Sequence, residues 1–296
     1  MRIFLTGSTG FIGSQVASEL IASGHQVLGL ARSDSAARAL EERGEQAHRG
    51  DIEDTQSLQR GADACDAVIH TAFDHDFAYF AENCQKDRRV IIALGSVLEG
   101  SDRPLLITSS TAMGSIVPGQ KAVEDCFNPG HPNPRVASEL AGLELSQRGV
   151  NVSVIRLSQI HDTRKQGLVT ALVELARKTG VSAYIEGTIN SWSAAHIKDA
   201  GRLYRLALES AEPGSRYHAT AEEAVSFTAI AQAIAHALKL PVVAVRAEEA
   251  SAHFGWLTAF VSKDMSASST LTQERLHWHP DGPTLIADLN NIVHTG

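Results

Sequence analysis

The chain has 296 residues, 43% of them hydrophobic, and a formal net charge of −8. That composition supports a large buried core, and acids dispersed along the chain exclude nucleic acid or an anionic membrane as the main partner. No apolar run approaches the roughly 20 residues of a membrane span, no signal peptide precedes the first strand, and Cys65, Cys84 and Cys126 lack Cys-x-x-Cys spacing, so a cytoplasmic protein with reduced thiols and a small-molecule partner is expected.

The first expected strand, residues 3–5, runs directly into Thr6-Gly7-Ser8-Thr9-Gly10-Phe11-Ile12-Gly13. A helix follows with Val16, Leu20 and Ile21 on one face and stops at Gly24. Glycines at these spacings have a shared use: Gly7 permits a tight turn, Gly10 lets backbone approach a pyrophosphate, and Gly13 lets the helix pack closely. Thr9, Phe11 and Ile12 bring backbone to the helix amino end, whose unpaired N–H groups and dipole bind an anion without a cationic side chain. A dinucleotide is therefore expected.

The second strand, residues 27–30, completes a β-α-β unit. At its end, where a carboxylate would accept both ribose hydroxyls of NAD, the chain reads Ala31-Arg32-Ser33. A planar cation and a hydroxyl suit a 2′-phosphate, so NADP (NADPH) is the expected cofactor; the other reading makes Arg32 an ordinary solvated residue. Asp51, with Ile52 after it, stands where a carboxylate reaches the adenine amino group, or else caps a helix. The third strand, residues 67–70, ends in Thr71-Ala72-Phe73. Their backbone is expected to line the cofactor trough, because open parallel sheets bind ligands at the carboxyl ends of strands. Asp74-His75-Asp76 are contiguous and read as a polar rim over the substrate, with His75 a second proton-donor candidate, not as a metal site.

Residues 77–98 form an amphipathic stretch with Val90, Ile91, Leu94 and Leu98 inward. A fourth strand, 105–108, precedes Ser110 and Thr111; a fifth, 152–155, precedes Leu157, Ser158 and Gln159. Between them Asn128-Pro129-Gly130-His131-Pro132-Asn133-Pro134-Arg135 leads into a helix running to about Gln147. Further helices are expected at 168–177, 199–208, around Ile230, Ile234 and Leu238, and at 285–292, with a short strand near 183–185. His277-Trp278-His279 reads as a surface segment, and Phe254, Trp256 and Phe260 as either an apolar pocket wall or helical core. Strands alternating with helices imply an α/β fold, a Rossmann-type doubly wound parallel sheet with helices on both faces. Residues 1–160 are expected to form the NADP-binding core, and residues 161–296 to complete it and build a smaller substrate-binding part.

The glycine motif, Gly50-Asp51-Ile52, His70-Thr71-Ala72, Thr108-Ser109-Ser110-Thr111, and Val154-Ile155-Arg156-Leu157 together resemble the short-chain dehydrogenase/reductase superfamily. The extended group, which contains nucleotide-sugar epimerases and dehydratases, is the nearest in kind, and residues 192–199 and 274–278 extend the resemblance over nearly the whole chain. It implies a catalytic Ser or Thr after the central strand and a Tyr-x-x-x-Lys on the next helix. Ser110 matches the first, with Thr111 beside it. The second is missing: Tyr79, Tyr184, Tyr204 and Tyr217 are followed four residues on by Asn83, Thr188, Leu208 and Ala221.

His131-x-x-x-Arg135 keeps the spacing with other chemistry and resembles an atypical subgroup in which that pair stands in. An imidazole with a pKa near 6.5 can protonate a developing alkoxide, and Arg135 would keep His131 neutral or hold the nicotinamide ribose. The competing reading takes Asn133-Pro134 as a helix cap and first helical proline, leaving His131 in a loop. The resemblance also places Trp192 and His196 in a substrate-side segment, although Trp192 suits plain core as well, and puts Ser158 and Gln159 where relatives carry prolines. The expected function is an NADP-dependent oxidoreductase moving a hydride between nicotinamide and a small carbonyl or alcohol. Epimerase or dehydratase action with retained cofactor, and a redox-sensing protein that binds NADP(H) without chemistry, are the alternatives; a homodimer through 77–98 and 135–147 is possible on the resemblance.

Overall fold

The computed structural model describes residues 1–117 and 120–292. The amino-terminal apolar run is β1 (Arg2–Thr6), and the glycine-rich turn delivers the chain to α1 (Phe11–Ala22). Then come β2 (Gln26–Ala31), α2 (Asp34–Glu41), β3 (Gln46–Arg49), α3 (Thr55–Asp63), β4 (Ala67–His70), α4 (Phe80–Ser96), β5 (Leu105–Ser110), α5 (Val136–Gln147) and β6 (Val152–Leu157). After β7 (Gln159–His161), α6 (Leu168–Thr179), β8 (Ser182–Ile185), β9 (Ser191–His196) and α7 (Ile197–Ser210), the chain returns to the main sheet as β10 (Arg216–Ala219).

That sheet has seven strands in the order β10-β6-β5-β4-β1-β2-β3, and every neighbouring pair is parallel. From β1 the chain winds outward to β3, then restarts on the other side of β1 at β4. The reversal leaves a crevice beyond the carboxyl ends of β1 and β4, where open α/β sheets bind ligands. Side chains alternate across the sheet as the pleat requires. Ile3 and Leu5 face one core with Val16 and Leu20 of α1 and Leu203 of α7, while Phe4 faces the other with Leu58 of α3, Val90, Ile91 and Leu94 of α4, and Leu145 of α5. Each such side chain, fully buried, contributes about 1.5–3 kcal/mol.

The amphipathic stretch begins as a short 3-10 turn, Phe77–Tyr79, because Asp76 accepts a hydrogen bond from the Ala78 N–H at 3.0 Å; the α-helix starts at Phe80. Its inward residues Val90, Ile91, Leu94 and Leu98 are those expected. β3 was hidden by its composition: Gln46, Ala47, His48 and Arg49 have no apolar alternation, and the strand forms at the sheet edge by pairing with β2 alone.

The remaining elements are β11 (Glu222–Ser226), α8 (Phe227–Leu238), β12 (Val242–Val245), α9 (Ala250–Phe254), α10 (Thr258–Val261), α11 (Thr270–Leu276) and α12 (Leu285–Asn290). β9 lies between antiparallel β11 and parallel β7, and β8 pairs with β12. They enclose a second core that includes Trp192, Phe227, Ile230, Ile234, Leu285 and Leu289. Residues 277–279 are not the uniform surface segment expected. α11 ends at His277 with φ +48, which turns the next residue inward, and Trp278 is wholly buried with its indole N–H donating to the Asp199 carbonyl at 3.0 Å. Among the described residues no helix is long and apolar enough to cross a membrane.

Candidate functional site

The glycine turn closes on itself at the head of the crevice. Gly7 has φ +76, open to glycine at little cost, and a Cβ there would lie 2.7 Å from the Ala72 amide nitrogen. Gly10 donates to the Gly7 carbonyl at 2.8 Å. A Cβ on Gly13 would sit 2.1 Å from that same carbonyl, so α1 packs directly against the turn. Thr71 donates its hydroxyl to the Thr6 carbonyl at 2.7 Å, joining the ends of β1 and β4. Gly10 caps α1 with no side-chain acceptor. The N–H groups of Phe11, Ile12 and Gly13 therefore face outward at a positive helix end, which fits a pyrophosphate. Thr9 is exposed beside them.

At the end of β2, Ala31 is buried and Arg32 is exposed, with no hydrogen bond or ion pair among the described residues. Ser33 caps α2, accepting from the Ala36 N–H at 3.1 Å. The nearest acid, Asp34, is paired with Arg49 at 2.6 Å. A carboxylate does approach the glycine turn from elsewhere. Glu45, buried under Gly29, accepts the Ser8 hydroxyl and is paired with Arg43 at 2.9 Å, while Arg43 also donates to the Ser8 carbonyl at 3.1 Å. Nothing in the local sequence signals these three residues. Asp51 does not cap a helix, because Asp54 takes that place by accepting from the Ser57 N–H at 3.0 Å. Asp51 instead accepts from Glu53 N–H at 2.9 Å, and Ile52 packs on the core.

Past the end of β4, a buried polar chain underlies the crevice. His70, with no exposed surface, shares a hydrogen bond with the Thr6 hydroxyl at 2.6 Å and donates from Nε2 to Asp87 at 2.9 Å. Asp87 accepts as well from Arg135 at 2.8 Å and from the Ser138 hydroxyl at 2.6 Å. Burial opposes its charge, yet Arg135, His70 and Ser138 hold its carboxyl below the usual range. Thr108 donates to the His70 carbonyl at 2.7 Å and meets the Tyr204 hydroxyl at 2.6 Å; burial pushes Tyr204 above its ordinary pKa. Asp87 was detectable in the sequence: it falls three and four residues before Val90 and Ile91, on the apolar stripe of α4.

Arg135 is largely buried at the head of α5. Besides Asp87 it donates to the Thr108 carbonyl at 2.9 Å, and its guanidinium lies 3.9 Å over the Phe73 ring. His75 meets the same ring edge-on at 5.2 Å. Desolvation, then the charges of Lys165 and Arg135, lower the His75 pKa. The structure thus brings Phe73, His75 and Arg135 together with Thr108. It does not stack His131 and Arg135 on one helical face: α5 begins at Val136, so His131 stands in the turn ahead. There its Nδ1 accepts the Asn133 N–H at 3.1 Å, leaving the proton of the neutral ring on Nε2, and desolvation and Lys263 lower its pKa. The rest of the first turn of α5 is engaged too, Ser138 with Asp87 and Glu139 with Arg156 at 2.8 Å.

Ser110 ends β5 half-buried, accepting from the Ala112 N–H at 3.3 Å, and Thr111 is buried just beyond it. Leu157 closes β6 and Ser158 follows it, with the Ser158 hydroxyl on the Ala219 carbonyl at 2.5 Å. Trp192, expected on the substrate side or in plain core, has no exposed surface and packs 5.0 Å from Phe227, because β9 directs it into the second core.

The family whose model matches residues 3–221 is described as the NAD dependent epimerase/dehydratase family. "Uncharacterized protein C2A9.02" of Schizosaccharomyces pombe is 44% identical over 98% of both chains. A Dictyostelium discoideum sterol-4-alpha-carboxylate 3-dehydrogenase, decarboxylating, is 27% identical over 76% of this chain and 73% of its own. Among solved structures, the UDP-glucose 4-epimerase of Thermus thermophilus in complex with NAD superimposes with a TM-score of 0.74 at 18% identity, over 99% of this chain and 97% of that one.

Proposed function

The chain belongs to the NAD dependent epimerase/dehydratase family, and from that membership we propose that it is an NADP-dependent oxidoreductase acting on a small carbonyl or alcohol. The observation that carries the cofactor choice is Arg32, exposed and unpartnered among the described residues, at a strand end whose neighbouring acid is committed to Arg49. Arg32 and Ser33 would hold the 2′-phosphate, and the open amino end of α1 the pyrophosphate. Bound there, the nicotinamide supplies a hydride to a carbonyl carbon or takes one from an alcohol.

The protein's own part is to place the carbonyl and stabilise its oxygen. Ser110 polarises that oxygen, and a neutral imidazole donates an N–H hydrogen bond to it as negative charge develops, with water supplying the proton of the alcohol. His131 has its Nε2–H free of the Asn133 contact, and His75 stands beside Phe73 as the second donor. Arg135 takes no part in that proton step; its place on Thr108 and Phe73 suits holding the nicotinamide end in register. NADPH oxidation with a panel of aldehydes and ketones tests this. His131→Ala should lower kcat by at least about tenfold with an unchanged Kd for NADPH, and wild type should bind NADPH at least about tenfold more tightly than NADH, a preference lost in Arg32→Glu. Equal turnover in His131→Ala, or preference for NADH, sinks the respective part. The family name favours a second reading, in which a nucleotide sugar is converted with no net change in NADPH absorbance; the same panel, extended to UDP-glucose, separates the two.

A further inference from the structure

Resting on that reading, we propose that the substrate is a flat aromatic carbonyl compound, laid against the open faces of rings from the loop after β4 and from the α9–α10 segment. Phe77 stacks on Trp256 with centroids 4.6 Å apart and planes 16° apart, and on Phe80 at 5.4 Å. Phe260 approaches both Phe77, at 6.2 Å, and Trp256, at 5.9 Å. Phe80 leads on to Phe73 at 6.1 Å, and Phe73 is the ring beneath Arg135 at the end of β4. The rings therefore run unbroken from the carboxyl edge of the main sheet, where the cofactor site lies, to a segment about 180 residues later in the chain.

Core packing accounts for Phe260, which lies against the second core, and not for the rest of this set. Phe73, Phe77, Phe80 and Phe260 are only partly buried, and Trp256 keeps 48% of its surface exposed although one face is stacked. Aromatic pairs gain about 0.5–1.5 kcal/mol each from offset or edge-on geometry, and a ring laid on the open face of Trp256 would find such a partner already in place. Two charged or titratable groups touch the ring set, Arg135 and His75, and Lys165 acts on His75 from beyond it. Arg135, the cation lying on the ring set, is committed to Asp87 and the Thr108 carbonyl, and so does not offer its charge to a diphosphate. His75, the titratable group among the rings, is held toward its neutral form by desolvation and by Lys165 and Arg135.

The test pairs acetophenone with cyclohexyl methyl ketone, equal in reach and differing in the ring. In steady-state NADPH oxidation, KM for acetophenone should be about fivefold to tenfold lower, and Trp256→Ala and the gentler Phe77→Leu should each erase that difference while the Kd for NADPH stays. Calorimetry with benzyl alcohol on the NADPH complex, where no reaction can occur, gives a reading free of turnover. Binding of benzyl alcohol that both variants weaken, with no ketone reduced, supports the ring site and overturns the proposed reaction. Ketone reduction with equal KM values, or variants with wild-type KM, overturns the ring site and leaves the reaction standing. UDP-glucose binding that depends on Trp256 also overturns it.

Discussion

His218, on β10, is a wholly buried imidazole whose Nδ1 donates to the Ser268 carbonyl at 2.7 Å and whose Nε2 accepts from Arg156 at 3.2 Å. Burial, followed by the Arg156 charge, pushes its pKa from 6.5 down to about 3. Between those values the unfolded chain binds a proton that the folded chain refuses, so stability rises with pH in that window. The His218 contribution is complete above 6.5 and drains away as pH falls toward 3. Asp87, whose folded pKa lies below its ordinary 3.8, adds its own loss as pH falls below 3.8. Urea midpoints should be level just above neutrality and fall progressively below pH 6.5, with a shallower fall in His218→Gln. A variant whose slope matches wild type would show that another group carries the effect. The same physics explains why Asp87 tolerates its burial: a lone interior carboxylate would be expelled or neutralised, whereas one with two hydroxyl or guanidinium donors and an imidazole stays charged.

Among the elements, the β1–turn–α1 unit is the one most constrained by its sequence, and it was legible because each constraint falls on a different residue. Gly13→Ala tests it. The added methyl would lie 2.1 Å from a backbone oxygen, with no flexible side chain to move aside, so α1 must shift off the turn at a cost of about 1–3 kcal/mol. The expected outcome is a Kd for NADPH raised at least about tenfold; an unchanged Kd would mean that α1 does not present its amino end to the ligand. α4 was readable through its 3.6-residue stripe, as were the buried strands through their apolar runs. β3 was not, because an edge strand draws its stability from backbone pairing on one side and needs no apolar face. The Asp87–Arg135 pairing was half visible, the aspartate through its place on an apolar stripe and the arginine only as a spacing. Glu45, Arg43 and Ser8 left no trace in pattern, since a contact across 37 residues depends on how α2 leans on the sheet.

At the scale of the molecule, the second half of the chain does more than add a lobe. β10 supplies the seventh strand, and α7 lays Leu203 and Ala207 against the α1 side of the first core. Arg205 of α7 pairs with Glu19 of α1 at 3.0 Å. α7 thus fixes the later part of the chain to the first core, and the ring series from Phe73 to Trp256 joins the loop after β4 to the α9–α10 segment. Periodicity reveals such elements one at a time; their juxtaposition is set by the return of the chain to the sheet, which no local window contains.

The stack of Phe77 on Trp256 also gives the protein an optical address. The chain has three tryptophans, and two of them, Trp192 and Trp278, have no exposed surface. A collisional quencher such as acrylamide can therefore reach one indole directly, and that indole lies where the two segments meet. Stern–Volmer plots should curve downward, resolving one accessible and two sealed emitters. NADPH that draws the segments together should shrink the quenchable fraction, while an unchanged fraction would mean that the rings keep their spacing when the cofactor arrives. The emission of this protein is in that sense a local signal, reporting on one seam and silent about both interiors.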